Sequence, residues 1–111
     1  MKTINKKVII DGEELEIVLD KYVGTDNTAM LLIDAAGLPY ATVTVNIPDC
    51  SMPPSMLICK TWSENESLYK KLVKQGVLIP TNNIFPFRHV SAVVCKLNPS
   101  YKGWQEFEKM V

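Results

Sequence analysis

The chain is short of histidine, short of cysteine and carries no excess of charge of either sign, and each shortage excludes a class of function. A single histidine, His89, with no Cys-x-x-Cys pair leaves the usual structural zinc spacings unfilled. Three cysteines, Cys50, Cys59 and Cys95, cannot complete a disulfide framework, which points to a reducing, cytoplasmic compartment. Twelve Lys and Arg against twelve Asp and Glu give a formal net charge of +0, unlike the polybasic surfaces that coat nucleic acid or anionic membranes. No apolar run approaches the ~18 residues of a transmembrane helix. The segment from Met1 to Lys7 leads into only three aliphatics, Val8, Ile9 and Ile10, too few for a signal-peptide core. The five glycines build neither G-x-x-x-x-G-K-S/T nor G-x-G-x-x-G, so no phosphate-binding loop is written into the chain. No cofactor and no metal is expected.

What is present describes one domain over residues 1–111. The composition, 47% hydrophobic and 22% charged, is that of a globular chain. Asp11-Gly12 lies between Lys7–Ile10 and Glu13–Leu19, a hairpin signal because both turn positions take positive φ. Leu15, Ile17 and Leu19 alternate with Glu14 and Glu16, the mark of a half-buried strand. Gly24-Thr25-Asp26-Asn27 supplies the next turn. Thr28–Asp34 is apolar on both faces and belongs at the centre of a sheet. Tyr40–Ile47 reads as the cleanest strand, with Ala41, Val43, Val45 and Ile47 on one face and Tyr40, Thr42, Thr44 and Asn46 on the other. Three prolines make residues 48–55 a loop, and Met56–Trp62 returns to strand.

Ser63 and Glu66 have the spacing of a capping box. It opens a helix over about 64–75 whose apolar stripe is Leu68, Tyr69, Leu72 and Val73. Glu66 and Lys70 form a favourable i,i+4 pair, and Gly76 suits the left-handed position past the helix end. Residues 79–89 read as a long proline-punctuated connection, followed by a last strand from His89 to Leu97. Tyr101–Val111 patterns as a short C-terminal helix with Trp104 and Phe107 on one side. The fold class is therefore α+β: an antiparallel sheet of five to six strands, with the main helix on one face and a short C-terminal helix.

No catalytic residue is expected. A thiol nucleophile, Cys50 with His89 as its base, is the sharpest enzymatic alternative, but Asp49 beside Cys50 disfavours a thiolate. Helix capping and a solvated strand face account for the paired carboxylates Glu14/Glu16 and Glu64/Glu66. The binding reading rests on Phe85, Phe87, Arg88 and His89 in the 79–89 connection, joined by Trp62 at the strand–helix junction: aromatic and cationic anchors of the kind that fill protein interfaces. The competing reading plugs the two phenylalanine rings into the end of the core. Partners are then an unidentified protein or a second copy of the chain, with no membrane. A weak nucleic-acid module using the basic C-terminal half remains an alternative. That half, residues 56–111, carries +4, and residues 1–55 carry −4. If the halves interleave in one sheet, these charges pair across strands; if not, they form two faces.

At Leu19-Asp20-Lys21-Tyr22, Pro39-Tyr40-Ala41-Thr42-Val43-Thr44-Val45-Asn46 and Ser63-Glu64-Asn65-Glu66 the chain resembles an uncharacterised family of small bacterial proteins. That family is catalogued as a domain of unknown function and found largely in gut anaerobes and their mobile elements. The resemblance runs from about Leu15 to Pro99 and brings no catalytic or binding residues with it. It implies a bacterial accessory protein or inhibitor that acts by binding rather than turnover.

Overall fold

A computed structural model describes residues 2–48, 50–101, 103 and 107, and of Lys2, Asn5 and Phe87 only the backbone. Among the described residues seven strands and one main helix follow in the order β1 (Lys2–Ile10), β2 (Glu13–Lys21), β3 (Thr28–Ile33), β4 (Pro39–Thr42), β5 (Met56–Cys59), α1 (Asn65–Lys74), β6 (Leu78–Phe87) and β7 (Val90–Leu97). They form a four-stranded sheet ordered β1-β2-β3-β4 and a three-stranded sheet ordered β5-β7-β6. All pairings are antiparallel. The α+β class holds, with two sheets in place of one and more strands than the five to six expected. Among the described residues no helix is long and apolar enough to cross a membrane.

The first sheet is a meander. Asp11 and Gly12 take φ of 50° and 83°, the two positive values that the hairpin between β1 and β2 requires. Val8 pairs with Leu15 and Ile4 with Ile17, and all four are buried, while Glu14 and Glu16 stay exposed. β3 lies inside the sheet, with Met30 and Leu32 in the core.

The expected strand over 40–47 is divided between the sheets. Its first part, β4, pairs with β3, and Val43 still donates its N–H to Met30 O at 2.8 Å. The chain then turns its other edge to β5: Lys60 N–H bonds Val43 O, Val45 N–H bonds Ile58 O, both at 2.9 Å, and Thr44 bridges Cys59. This seam joins the sheets. Thr44, expected on a polar face, is 3% exposed there.

β5, α1 and β6 form a crossover whose two strands run parallel, with β7 lodged between them. Leu68 and Leu72 bury the expected stripe, flanked by Tyr69 and Val73. The helix start departs from the capping-box expectation. Ser63 has φ 59° and turns the chain out of the second sheet. Glu64 holds the cap position without a side-chain cap bond. Asn65 instead anchors the first turn, donating Nδ2–H to Thr42 O at 2.8 Å. The C-terminus closes as a Schellman motif: Val77 N–H bonds Leu72 O at 2.9 Å and Gly76 N–H bonds Val73 O at 3.0 Å, with Gly76 at φ 75°.

The connection expected over 79–89 is a strand. β6 carries Pro80 and Pro86 because it is the sheet's outer strand. A two-residue turn makes Phe87 and Val90 a hydrogen-bonded pair, so the alternation aims the nitrogen of Pro86 away from β7. The Asn98 N–H to Val77 O bond at 3.0 Å sets the same phase at the other end and aims Pro80 outward too. Residues 81–83 bulge from the ladder, and Thr81 Oγ spans the gap to Val94 O at 2.7 Å.

One core collects the inner faces of both sheets, α1 and Phe107. The outer strand of the first sheet, β1, is covered: Gln75 Nε2 donates to Ile9 O at 2.7 Å, and the Lys6 ammonium sits 5.6 Å from the centre of the Tyr101 ring. The C-terminal helix expected over 101–111 falls mostly outside the described residues, which include only Tyr101, Gly103 and Phe107 of that stretch. Phe107 is 2% exposed, and its N–H bonds Gly103 O at 3.1 Å. Trp104 lies outside the described residues.

Candidate functional site

The residues singled out as interface anchors come from two separate stretches of sequence, and the register of the second sheet brings them to one end. Cys59 pairs with Val93, and beyond it Thr61 donates Oγ–H to Ser91 O at 3.0 Å. That bond holds the segment after β5 beside β7, toward the end of the sheet that carries the Arg88–His89 turn. Trp62 is half-buried, and Arg88 and His89 are exposed. Phe85 pairs with Ala92, itself fully buried, on the face of the second sheet opposite to Cys95 and Leu97. It is half-buried there, not a core plug. The Phe87 side chain lies outside the described residues. Ile84, 59% exposed, pairs with Val93 and so lies on the other face of β6 from Phe85.

The turn itself is strained. Arg88 has φ 59°, a left-handed conformation that glycine adopts freely and a side chain with a Cβ resists. Hairpins of two residues normally place Gly, Asn or Asp at such a position. Here an arginine stands at the apex, next to the chain's only histidine.

Cys50 and His89 are held apart. The Cys50 carbonyl accepts from Asn27 Nδ2 at 2.5 Å. Thr28 donates to Pro54 O at 2.9 Å, which fixes that loop at the Met56 end of β5. Met56 pairs with Lys96, seven residues from His89. At ~3.3 Å per strand residue the separation is on the order of 20 Å, too far for a thiol–imidazole pair. Asp49 lies outside the described residues. Cys59 and Cys95 are buried, as the apolar surroundings suggest. The Cys95 neighbour, together with burial, pushes the Cys59 thiol up. Hydrogen bonding with Cys59, and then with Tyr69, whose hydroxyl accepts from Cys95 Sγ at 3.8 Å, draws Cys95 down. Both thiols are sealed from solvent.

Sequence inspection missed a cleft of about 260 Å³ between the β1–β2 turn, β4 and the start of α1, lined by Asp11, Tyr40, Glu64, Asn65, Leu68 and Lys71 among others. Its parts come from positions 10 to 71, and no local pattern links them. Its charges are satisfied internally: Asp11 pairs with Lys71, and Glu64 with Lys60 at 3.2 Å. The Ser63 hydroxyl, the Glu64 backbone N–H and Lys60 hold the Glu64 carboxyl at about 2. Lys70 is likewise engaged, by Glu66 at 3.2 Å. Among the described residues no three of His, Cys, Asp and Glu are grouped to hold a metal ion. No protein-family model, no curated protein and no solved structure matches this chain.

Proposed function

We propose that this is a small bacterial accessory protein of the cytoplasm that works by protein–protein contact, through the end of the second sheet where Trp62, Phe85, Arg88 and His89 gather. The observation that carries this reading is the strained apex. Backbone strain persists where the surrounding structure over-determines it, and it concentrates at sites of recognition. An arginine kept in a left-handed turn, with His89 beside it and aromatic residues nearby, has the composition of an interface anchor. The resemblance to bacterial mobile-element proteins points the same way. Pro80 and Pro86 blunt the outer edge of β6 against strand addition, so recognition is by side chains.

The test is affinity capture from a cell extract of the native host, comparing the natural chain with Arg88→Glu and His89→Glu. Both sites are exposed, so thermal unfolding midpoints should stay unchanged while the captured partner is lost. Recovery of the same partner by both variants would refute this site.

A further inference from the structure

The cleft beside α1 shares no residue with the Trp62, Phe85, Arg88 and His89 group, and its walls divide into two chemistries. The apolar part is Ile10, Ala41 and Leu68. Ile10 and Leu68 are buried members of the core, and half-buried Ala41 packs against it. Tyr40, 38% exposed, adds an aromatic ring. The charged part is neutralised from within, Asp11 by Lys71 and Glu64 by Lys60. Asn65 is different. It is 5% exposed, and its Nδ2 is spent on Thr42 O at 2.8 Å. That carbonyl can only accept, which fixes Nδ2 as the atom facing it and Oδ1 as the atom facing away. No donor among the described residues meets Oδ1. No buried side-chain polar atom among those residues lacks a partner, so Oδ1 is open to solvent. With the residue so deeply placed, the opening is the cleft that Asn65 lines.

From this we infer that the cleft binds a small uncharged aromatic compound with one N–H or O–H donor, which gives its hydrogen to Asn65 Oδ1 and lays its ring on Ile10, Ala41 and Leu68. An apolar bed with few fixed polar groups holds a ligand by the first and orients it by the second. At about 260 Å³ the cleft equals about nine water molecules at about 30 Å³ each, room for a ligand with about as many non-hydrogen atoms. Indole and phenol are of that size. The donor follows from the acceptor, because a ring without one would cover Oδ1 and leave it unpaired. The lack of charge follows from the rim. Both carboxylates are paired, so an entering ion would give up its hydration without meeting a free counter-charge.

Titration of the full chain with indole, followed by amide NMR, tests this. Saturable shifts should centre on Ala41, Asn65 and Leu68, with a Kd of about 1 mM or tighter, within what so few atoms can supply. N-methylindole fills the same space without a donor and should bind roughly tenfold or more weakly. Benzylammonium and benzoate should bind no more tightly than phenol. Ser67→Trp sets a bulky side chain at the exposed margin of the cleft and should abolish the shifts with an unchanged unfolding midpoint. If that variant unfolds, Tyr40→Ala, which removes the ring from the wall, should weaken indole by about threefold or more. Indole that leaves Ala41, Asn65 and Leu68 unmoved up to its solubility overturns the inference. So does N-methylindole that binds as tightly as indole, or either ion binding more tightly than phenol. None of these results touches the Arg88 capture experiment, so the two sites stand or fall separately.

Discussion

Thr44 carries more of the architecture than its size suggests. Its Oγ accepts the Met30 N–H at 3.1 Å and lies 2.9 Å from the Tyr22 hydroxyl, at the seam between the sheets. Thr44→Val keeps the shape and removes the acceptor, stranding a buried N–H. The expected loss is about 1–3 kcal/mol, measured by urea unfolding; an unchanged midpoint would show that the Met30 N–H had found another acceptor. Glu64 gives a prediction of a different kind. Its carboxyl titrates at about 2 in the folded protein against an ordinary 4.5, with the Ser63 hydroxyl as the largest cause. A depressed folded value contributes stability above the ordinary value and loses it as pH falls toward 2. Ser63→Ala should move the Glu64 midpoint upward in an NMR titration.

At the scale of elements, legibility followed local chemistry. The first hairpin was readable because Asp-Gly declares its turn, and α1 because stripe, charge order and Gly76 agree. β6 was hidden by two prolines and by an Arg-His turn that lacks the usual glycine or asparagine. Prolines argue against a strand only where both edges are paired, and pairing is a property of the sheet, not of the segment. The 40–47 strand was readable as a strand, but no local pattern reports that it changes partner at Val43. Of the candidate site, Trp62, Phe85, Arg88 and His89 were singled out by composition, whereas which end of the second sheet each occupies depends on the registers of β5 and β6 against β7. The cleft beside α1 was invisible for the same reason.

Two substitutions test these elements. Arg88→Gly should relieve the left-handed strain and stabilise the fold by up to about 1 kcal/mol, while weakening capture of the partner. A protein both more stable and equally able to bind would separate the strain from recognition. Pro86→Thr restores an outward N–H to the edge of β6. Light scattering on warming should show earlier aggregation than in the natural chain; unaltered onset would mean that the edge is protected by other means.

Over the whole molecule, zero net charge conceals a separation by sheet. Lys7–Glu14, Lys60–Glu64 and Lys70–Glu66 each stay within one half, and Lys71–Asp11 ties the halves together at the helix. The core is nevertheless shared, since Phe107, α1 and both sheets contribute to it. The halves are therefore electrostatically distinct and mechanically one body. Thermal unfolding should therefore report one transition.

The strand order of the second sheet also constrains how the chain is made. The ribosome delivers β5, α1 and β6 before β7, yet β7 is the strand that separates β5 from β6 and pairs with both. A nascent chain that ends at His89 therefore has a complete first sheet and two strands with no partner between them. In a chain truncated after His89, the amides of β5 and β6 should exchange with solvent without protection. Synthesis of the last third leaves an apolar helix face and a half-built sheet uncovered until Leu97 emerges, and in that interval the chain is most open to chaperones and to aggregation.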